Sequence, residues 1–206
     1  VVSVQHDKDK SPDTLRSEII SKVLWPVFEK MPFDDQTEIL VNPAGRFVLG
    51  GPAADTGLTG RKIMVDTYGG LAAHGGGAFS GKDPTKVDRS GAYIARYIAN
   101  NIVGGRFARR CQVAISYAIG KADPVAVQID TFGTSLYSDE VLMNVVQKLF
   151  NLRPAAIIEK LELRDTRYSD VACYGHFGNG YPSWERRNKF SELYNALKEY
   201  KHENND

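Results

Sequence analysis

Hydrophobic residues recur at helical spacing in several stretches of the chain. Leu15, Ile19 and Val23 form one such apolar face, and Ser11 followed by Pro12 is a typical helix start. The pattern therefore predicts a helix that begins after Ser11 and that Pro26 ends or bends. Further helices are predicted over residues 89–103, 139–149, 154–163 and 184–200.

Strict alternation of apolar and polar residues predicts two strands, over residues 112–119 and 125–131. The short connection Gly120–Pro124 between them suits a hairpin. Shorter strands are predicted over residues 1–5, 38–41 and 62–67. Because strands and helices interleave along the chain, we predict an α+β fold in which sheet and helices form layers.

Composition narrows the possible partners. The 206 residues carry a net charge of +1, so no overall basic field favours nucleic acid as a partner. Every apolar run is soon interrupted by charge or glycine, and we expect no membrane association. Cys111 and Cys173 form no CxxC motif, and two reduced thiols in a cytoplasmic protein are expected. Because the net charge is close to zero, any anion must bind to a local cluster of positive charge.

Residues 69–88 concentrate the chemistry that such a site needs. A glycine triplet at 75–77 lets backbone N–H groups approach a ligand closely. Lys82 and Lys86 add positive charge, while Asp83 and Asp88 offer oxygen atoms to a hard cation. This combination of groups suits a polyphosphate together with its metal ion.

Other interpretations of these residues remain open. Residues 76–82 follow the GxxxxGK part of a P-loop, but Asp83 replaces the hydroxyl residue of that motif. The glycines could also form a purely structural loop. Asp88 could cap the helix that follows it, and His74 is as compatible with a structural role as with a general base.

Residues outside the loop could complete the site. The pair Arg61-Lys62 would raise the number of nearby cations to four, enough to neutralise a triphosphate, although such a pair is usually a solvated surface feature. Asp55 could be a ligand or a turn residue. Phe47, beside Arg46, could stack on a purine or belong to the core.

The loop and the segments around it resemble one known family. GGGAFSGKD (75–83) is similar to the glycine-rich signature of the S-adenosylmethionine synthetases, also called methionine adenosyltransferases. NPAGRFVLGGPAADTGLTGRKIMVDTYGG (42–70), KDPTKVDRSGAYIARYIANNIV (82–103), QVAISYAIG and ACYGHFG (172–178) resemble the same family in the same order. The resemblance covers nearly the whole chain.

The resemblance implies an enzyme that makes S-adenosylmethionine from ATP and L-methionine with Mg²⁺ and K⁺. In that family the methionine sulfur attacks the ribose C5′, and the released triphosphate is hydrolysed to phosphate and pyrophosphate. The implied roles on this chain are triphosphate contacts and catalysis for Arg61, Lys62 and Lys82; nucleoside contacts for Arg46 and Phe47; ATP contacts for Ala78, Asp55 and Ser3; methionine contacts for Asp55 and Lys86; and Mg²⁺ coordination for Asp88.

The family fold consists of three similar α+β subdomains around a pseudo-threefold axis. Its active sites lie between the subunits of a homodimer, often within a homotetramer. On this pattern residues 1–50 would end the N-terminal subdomain, 51–90 would belong to the central one with the glycine-rich loop, and 91–206 would form the C-terminal one.

The resemblance also implies that the chain is the second half of a longer protein. It starts with VVSVQHD and has no initiator Met. The family's N-terminal catalytic residues would be missing, so we expect the chain to be inactive alone. The alternative hypothesis is a non-catalytic module that binds ATP phosphates or forms an oligomer surface for a partner chain.

Overall fold

The computed structural model describes residues 1–31, 33–57 and 60–203, with side chains described as far as Tyr200. The chain divides into two compact units, Val1–Leu58 and Thr59–Asp206. The secondary structure mixes helices with a small antiparallel sheet, which confirms the predicted α+β class. The three-part division at residues 50 and 90 stays a prediction.

The first helix of the first unit starts directly after Ser11, as the sequence predicted. Helix α1 spans Pro12–Ile19, and the Ser11 side chain accepts a hydrogen bond from the Thr14 N–H. The chain does not stop at Pro26 but continues through a π-helical turn, Ile20–Leu24, into α2, Trp25–Phe28. Proline cannot donate a backbone hydrogen bond and crowds the preceding turn, and the wide π-turn accommodates both effects.

The strands predicted over residues 1–5 and 38–41 are wrong as regular elements. Among the described residues they form a single parallel bridge between Val2 and Val41. Beyond it, the Asn42 side chain accepts from the Val4 N–H at 2.7 Å and donates to the Val4 carbonyl at 2.9 Å. The side-chain amide thus replaces the next backbone partner, so the ladder goes no further.

The second unit contains the sheet and most of the core. The elements in chain order are α3 (Ile63–Asp66), α4 (Val87–Gly104), β1 (Gln112–Ser116), β2 (Ala126–Asp130), α5 (Asp139–Leu149), α6 (Pro154–Lys160) and α7 (Phe190–Glu203). Strands β1 and β2 pair antiparallel, from Gln112 opposite Asp130 to Ser116 opposite Ala126, which confirms the hairpin. Val127 and Ile129 are buried as the alternation predicted.

The predicted strand over residues 62–67 is wrong, because the segment folds as the short helix α3. Its apolar residues do not alternate in burial: Ile63 is half-buried, whereas Met64 and Val65 are both exposed. The Gly69 N–H, at φ +65°, donates to the Met64 carbonyl at 2.8 Å and closes the turn. This glycine-based helix ending outweighs the local β preference of Ile63 and Val65.

Helix α4 lies at the centre of the second unit and packs against β1, α6, α7 and the turn Ser183–Glu185. Four large side chains at helical spacing, Tyr93, Ile94, Tyr97 and Ile98, are at most 1% exposed. This agrees with the predicted helix over 89–103. Within the described ranges, no helix combines the length and the apolar character needed to cross a lipid bilayer.

A buried ion pair joins α4 to the chain that follows the aromatic loop at 172–181. Arg96 Nε and Nη2 donate to the two Glu185 carboxylate oxygens at 2.8 and 2.9 Å. Asn100 and the Gly178 N–H also donate to this carboxylate. Burial alone would raise the pKa of Glu185, but these hydrogen bonds, with the Arg96 charge, lower it.

The contacts of Trp184 and Glu185 explain why the last helix starts later than predicted. The pattern predicted a helix from residue 184, yet α7 starts at Phe190. The Trp184 indole is fully buried and its N–H donates to the His176 carbonyl at 2.9 Å. Because Trp184 and Glu185 are both held by distant partners, residues 183–185 form a separate 3-10 turn.

A second buried polar chain runs from Arg89 through Tyr93 to His176. Arg89 Nη1 donates to the Tyr93 hydroxyl at 3.0 Å, and that hydroxyl lies 2.8 Å from His176 Nδ1. Burial raises the pKa of Tyr93, so the hydroxyl keeps its proton while it shares a hydrogen bond with Nδ1. Burial, and next the Arg89 charge, lower the pKa of His176, which keeps its ring neutral.

Loss of the Glu185 carboxylate should destabilise the fold strongly, because it would leave the half-buried Arg96 guanidinium and the buried Asn100 amide without this partner. We expect Glu185→Ala to lower the free energy of unfolding by about 3–5 kcal/mol in urea denaturation. Asp123→Ala is the matched control, since it removes the exposed partner of Arg153 and should cost far less. Equal losses in the two variants would contradict the structural role of Glu185.

The neutral His176 should make stability depend on pH. The unfolded ring titrates near its ordinary pKa of 6.5, and the folded ring titrates lower. Below pH 6.5 the unfolded state therefore binds a proton that the folded state excludes, and the free energy of unfolding decreases as the pH is lowered. Above that pH the contribution is fully present.

Urea unfolding at about pH 7.5 and about pH 5.5 measures this effect. A single group changes the free energy of unfolding by at most about 1.4 kcal/mol per pH unit. His176→Asn, whose amide can replace Nδ1 as a hydrogen-bond partner of Tyr93, should show a smaller loss between the two pH values. If the variant and the unmodified chain lose the same stability, His176 is not the responsible group.

Candidate functional site

The glycine-rich loop has a defined backbone in which particular glycines are required. Gly76 and Gly81 have φ of +95° and +75°, a region that other residues avoid. The Lys82 N–H donates to the Phe79 carbonyl at 3.1 Å and closes a turn around Gly81. At Gly77 an added Cβ would lie 2.6 Å from the Asp88 Cβ, so the backbone lies directly against that aspartate.

Phe79 anchors the loop in the core. Its side chain is 1% exposed, and its ring lies 4.9 Å from the His176 ring and 5.3 Å from the Tyr93 ring. Its carbonyl also accepts from Arg89 Nη2 at 2.6 Å. The loop is therefore held on the surface of the packed unit by one buried aromatic residue near its middle.

Lys82 and Asp88 meet beside the glycines. Lys82 Nζ lies 2.8 Å from Asp88 Oδ2, and both side chains are partly exposed, at 33% and 47%. The capping interpretation of Asp88 is wrong, because the residue that caps α4 is Lys86 and Asp88 lies within the first turn. There its charge is favoured by the helix dipole while its oxygens remain accessible.

Asp83 shapes the chain between the loop and α4. One carboxylate oxygen accepts from the Thr85 hydroxyl and from the Thr85 N–H, the latter at 2.8 Å. The bond from the Thr85 hydroxyl and, to a smaller extent, that from the Thr85 N–H lower the pKa of Asp83. Lys86 Nζ lies 3.8 Å from the same carboxylate. At the position where a P-loop has a hydroxyl residue, this chain thus has a turn-forming aspartate.

The remaining predicted residues of this unit lie close to the loop in sequence or in space. Ala78 is half-buried between Gly77 and Phe79. A Cβ at Gly60 would lie 3.4 Å from the Ser80 side chain, so this part of the chain runs beside the loop. Arg61 and Lys62 follow directly and are both exposed. The second unit thus brings the start of the segment that carries Arg61 and Lys62 beside the loop.

His74 has a structural partner. Its Nδ1 accepts from the Gly76 N–H at 2.8 Å, which orients the ring toward its own loop. A nitrogen engaged in this way cannot take a proton from a ligand without losing the bond. Of the two interpretations of His74, the geometry favours the structural one.

The predicted nucleoside residues belong to the first unit. Segment 2–6 runs beside 41–48, with the His6 N–H donating to the Phe47 carbonyl at 2.9 Å and the Phe47 N–H donating to His6 Nε2 at 3.2 Å. The Phe47 side chain is 37% exposed, so it is not a core residue of this chain. The Arg46 guanidinium donates to the Lys8 carbonyl, and Ser3 is exposed.

Asp55 lies in a turn of the same unit. Its N–H donates to the Gly51 carbonyl at 3.0 Å, directly after the 3-10 turn Gly51–Ala53, and its side chain is exposed. The turn interpretation thus describes its backbone. A role in ligand binding stays a prediction.

Arg89, Tyr168 and His176 form the surroundings of the loop anchor, and none of them was predicted from the sequence. A signal for Arg89 was present, since it stands four residues before Tyr93 on the face that also carries Tyr97. The Arg89 guanidinium lies 4.2 Å from the Tyr168 ring centre, well within cation–π range. Tyr168 and His176 offered no local signal, because their contacts are set by distant parts of the chain.

Across the described ranges, no group of three or more histidine, cysteine, aspartate or glutamate side chains is arranged to hold a metal ion. Cys111 and Cys173 are free, and burial raises the pKa of Cys111 to about 12, so its thiol is unreactive at neutral pH. The chemistry available at the loop is therefore that of backbone N–H groups, cations and the carboxylates of Asp83 and Asp88.

Comparison with known proteins agrees with this description. The model of the S-adenosylmethionine synthetase C-terminal domain matches residues 49–186. The S-adenosylmethionine synthase of Desulforudis audaxviator (strain MP104C) is 56% identical over 195 residues. That match covers 94% of this chain and 49% of the relative, so the chain spans about half the relative's length. The resemblance seen in the sequence is confirmed, and the chain belongs to the S-adenosylmethionine synthetase family.

Proposed function

We propose that this chain supplies the triphosphate- and magnesium-binding part of a full-length enzyme that makes S-adenosylmethionine from ATP and L-methionine. The observation that carries the proposal is the contact between Lys82 and Asp88, 2.8 Å apart beside a loop rich in glycine N–H groups. In the proposed reaction the methionine sulfur attacks the ribose C5′ and the whole triphosphate leaves.

The charge around the loop suits that leaving group. Negative charge grows on the triphosphate as the C–O bond breaks, so fixed cations and N–H groups lower the barrier most if they are already in place. Lys82 is held by Asp88, and its partly exposed ammonium would donate to phosphate oxygens instead. Arg61 and Lys62 would add positive charge from the segment beside the loop, and Ala78 would contact ATP.

Asp88 would hold Mg²⁺. This ion is typically bound in proteins by one or two carboxylates together with substrate phosphates and water. An accessible carboxylate next to a phosphate cradle fits that pattern, and the lack of a larger acidic cluster in the described part of the chain is compatible with it. Bound Mg²⁺ would neutralise phosphate oxygens and favour both triphosphate departure and its hydrolysis to phosphate and pyrophosphate.

The remaining assignments rest on the family resemblance. Arg46 and Phe47 would hold the nucleoside, with Ser3 nearby, and the exposed ring of Phe47 is compatible with stacking. Asp55 and Lys86 would contact methionine or its junction with ATP. K⁺ as a second ion, a homodimer or homotetramer with sites between subunits, and a cytoplasmic location belong to the same proposal.

Lys82→Met should abolish most activity without unfolding the protein, because the side chain is on the surface of the loop. In the full-length protein, assayed with ATP, methionine, Mg²⁺ and K⁺, we expect kcat/KM for S-adenosylmethionine formation to fall at least about 100-fold. Lys121→Met, at an exposed lysine of the hairpin connection, should stay within about twofold of the unmodified enzyme.

Near-normal kcat/KM in the Lys82 variant would refute its role. No S-adenosylmethionine from the unmodified full-length protein would refute the proposed reaction. The chain alone should form no product, because it spans only half of its relative. Product from the chain alone would exclude the alternative, a non-catalytic phosphate-binding or oligomerisation module, and addition of the missing half in trans should restore activity.

Gly77 should be intolerant of a side chain, unlike its neighbour Gly75. A Cβ at Gly77 would displace the Asp88 carboxylate from Lys82, whereas a Cβ at Gly75 would meet no atom within 4 Å. We expect Gly77→Ala to lower kcat/KM by about 10- to 100-fold and Gly75→Ala to have little effect. Equal kinetics for both variants would show that the position of Asp88 does not matter for activity.

A further inference from the structure

We infer that Arg89 is a positioning residue that holds the glycine-rich loop in its phosphate-binding conformation. The inference rests on the proposed function for the identity of the ligand, and on the structure for the contacts. Arg89 stands directly after Asp88 in the first turn of α4 and is 4% exposed. It does not reach the surface, so it acts through the loop.

The key contact is the Phe79 carbonyl. It accepts from Arg89 Nη2 at 2.6 Å and from the Lys82 N–H at 3.1 Å. One oxygen atom thus joins a buried guanidinium to the turn that carries Lys82. Because the donor is charged and lies in a buried environment, this hydrogen bond is stronger than an ordinary backbone one. It fixes the orientation of the peptide group after Phe79 and hence the turn around Gly81.

The surroundings of Arg89 keep its guanidinium in place. The guanidinium carbon lies 4.2 Å from the Tyr168 ring centre and 5.9 Å from those of Phe79 and Tyr93. Its second donor binds the Tyr93 hydroxyl, which in turn is anchored on His176. Among the described residues, Arg89 Nε has no hydrogen-bond partner. The guanidinium is thus buried although one of its donors is unsatisfied. Of its two hydrogen bonds, one goes to the loop and the other to Tyr93, which packs against Phe79.

The loop is also attached to α4 by the Lys82–Asp88 ion pair, but this pair is too weak to fix the loop conformation alone. The Lys82–Asp88 pair is partly exposed, and such pairs contribute little to rigidity in water. Under the proposed function Lys82 must also exchange Asp88 for phosphate. When that pair opens, the Arg89–Phe79 bond would keep the turn in place, so that Lys82 changes partner without movement of its backbone.

Arg89→Lys and Arg89→Met test this role, with Arg96→Lys as the matched control. Arg96 is another arginine of α4 with a buried partner, but it binds Glu185 and not the loop. Two quantities are measured in the full-length protein: hydrogen–deuterium exchange of the loop amides at 77–82 relative to the amides of α4, and the Kd for magnesium tripolyphosphate. Thermal unfolding gives the loss of global stability for each variant.

Both Arg89 variants should raise loop exchange and weaken tripolyphosphate binding by about tenfold or more, since each loses a charged hydrogen bond. Arg89→Lys keeps the charge but not the paired donor geometry, so it should recover only part of the affinity. Arg96→Lys should lower the unfolding temperature while loop exchange and Kd stay within about twofold of the unmodified protein.

The inference is overturned if loop exchange rises no more in Arg89→Lys than in Arg96→Lys. This comparison decides the role of Arg89 even if Arg89→Met fails to fold. It also separates the two proposals, because an unmodified protein that does not bind tripolyphosphate would refute the proposed function while the exchange data would still test the Arg89 contact.

Discussion

The buried hydrogen bonds of helix α4 are the interaction on which the second unit depends. In the bidentate contact between Arg96 and Glu185 the carboxylate is buried, and there an unpaired charge would be strongly unfavourable. The Gly178 N–H donates to the same carboxylate, so the aromatic loop at 172–181 and the turn Ser183–Glu185 cannot leave α4 without breaking these charged hydrogen bonds. The fold is therefore specified at this point by polar groups as much as by hydrophobic burial.

The same helix prepares the candidate site. Its buried face carries Arg89, which donates to the Phe79 carbonyl, and Tyr93, which packs against the Phe79 ring. Its accessible face carries Asp88, which pairs with Lys82. Consecutive residues of a helix point in different directions, so Asp88 and Arg89 can serve the solvent and the core at the same time. A phosphate site built in this way combines accessible charges with a backbone that moves little, which is what stabilisation of a leaving group requires.

Much of this was predictable from local patterns. The 3.6-residue period located α4 and α5, the Ser11 cap marked the start of α1, and alternation located the hairpin. The glycine, lysine and aspartate residues at 75–88 indicated a phosphate site through their chemistry and close spacing alone. Family membership, which those motifs indicated, is shown by the similarity to known synthetases, while the individual site roles stay predictions.

The sequence by itself determined which residues could form helices, hairpin and phosphate loop, because these depend on neighbours a few positions apart. The tertiary structure alone decided that residues 62–67 are not a strand, that residues 183–185 stand apart from α7, and that Arg89 supports the loop. Those outcomes depend on contacts such as His176 with Asp66 and Trp184 with His176, and on the Arg96–Glu185 pair across 89 positions. Hydrophobic periodicity carries no information about such partners, since it reports only which face of an element is buried.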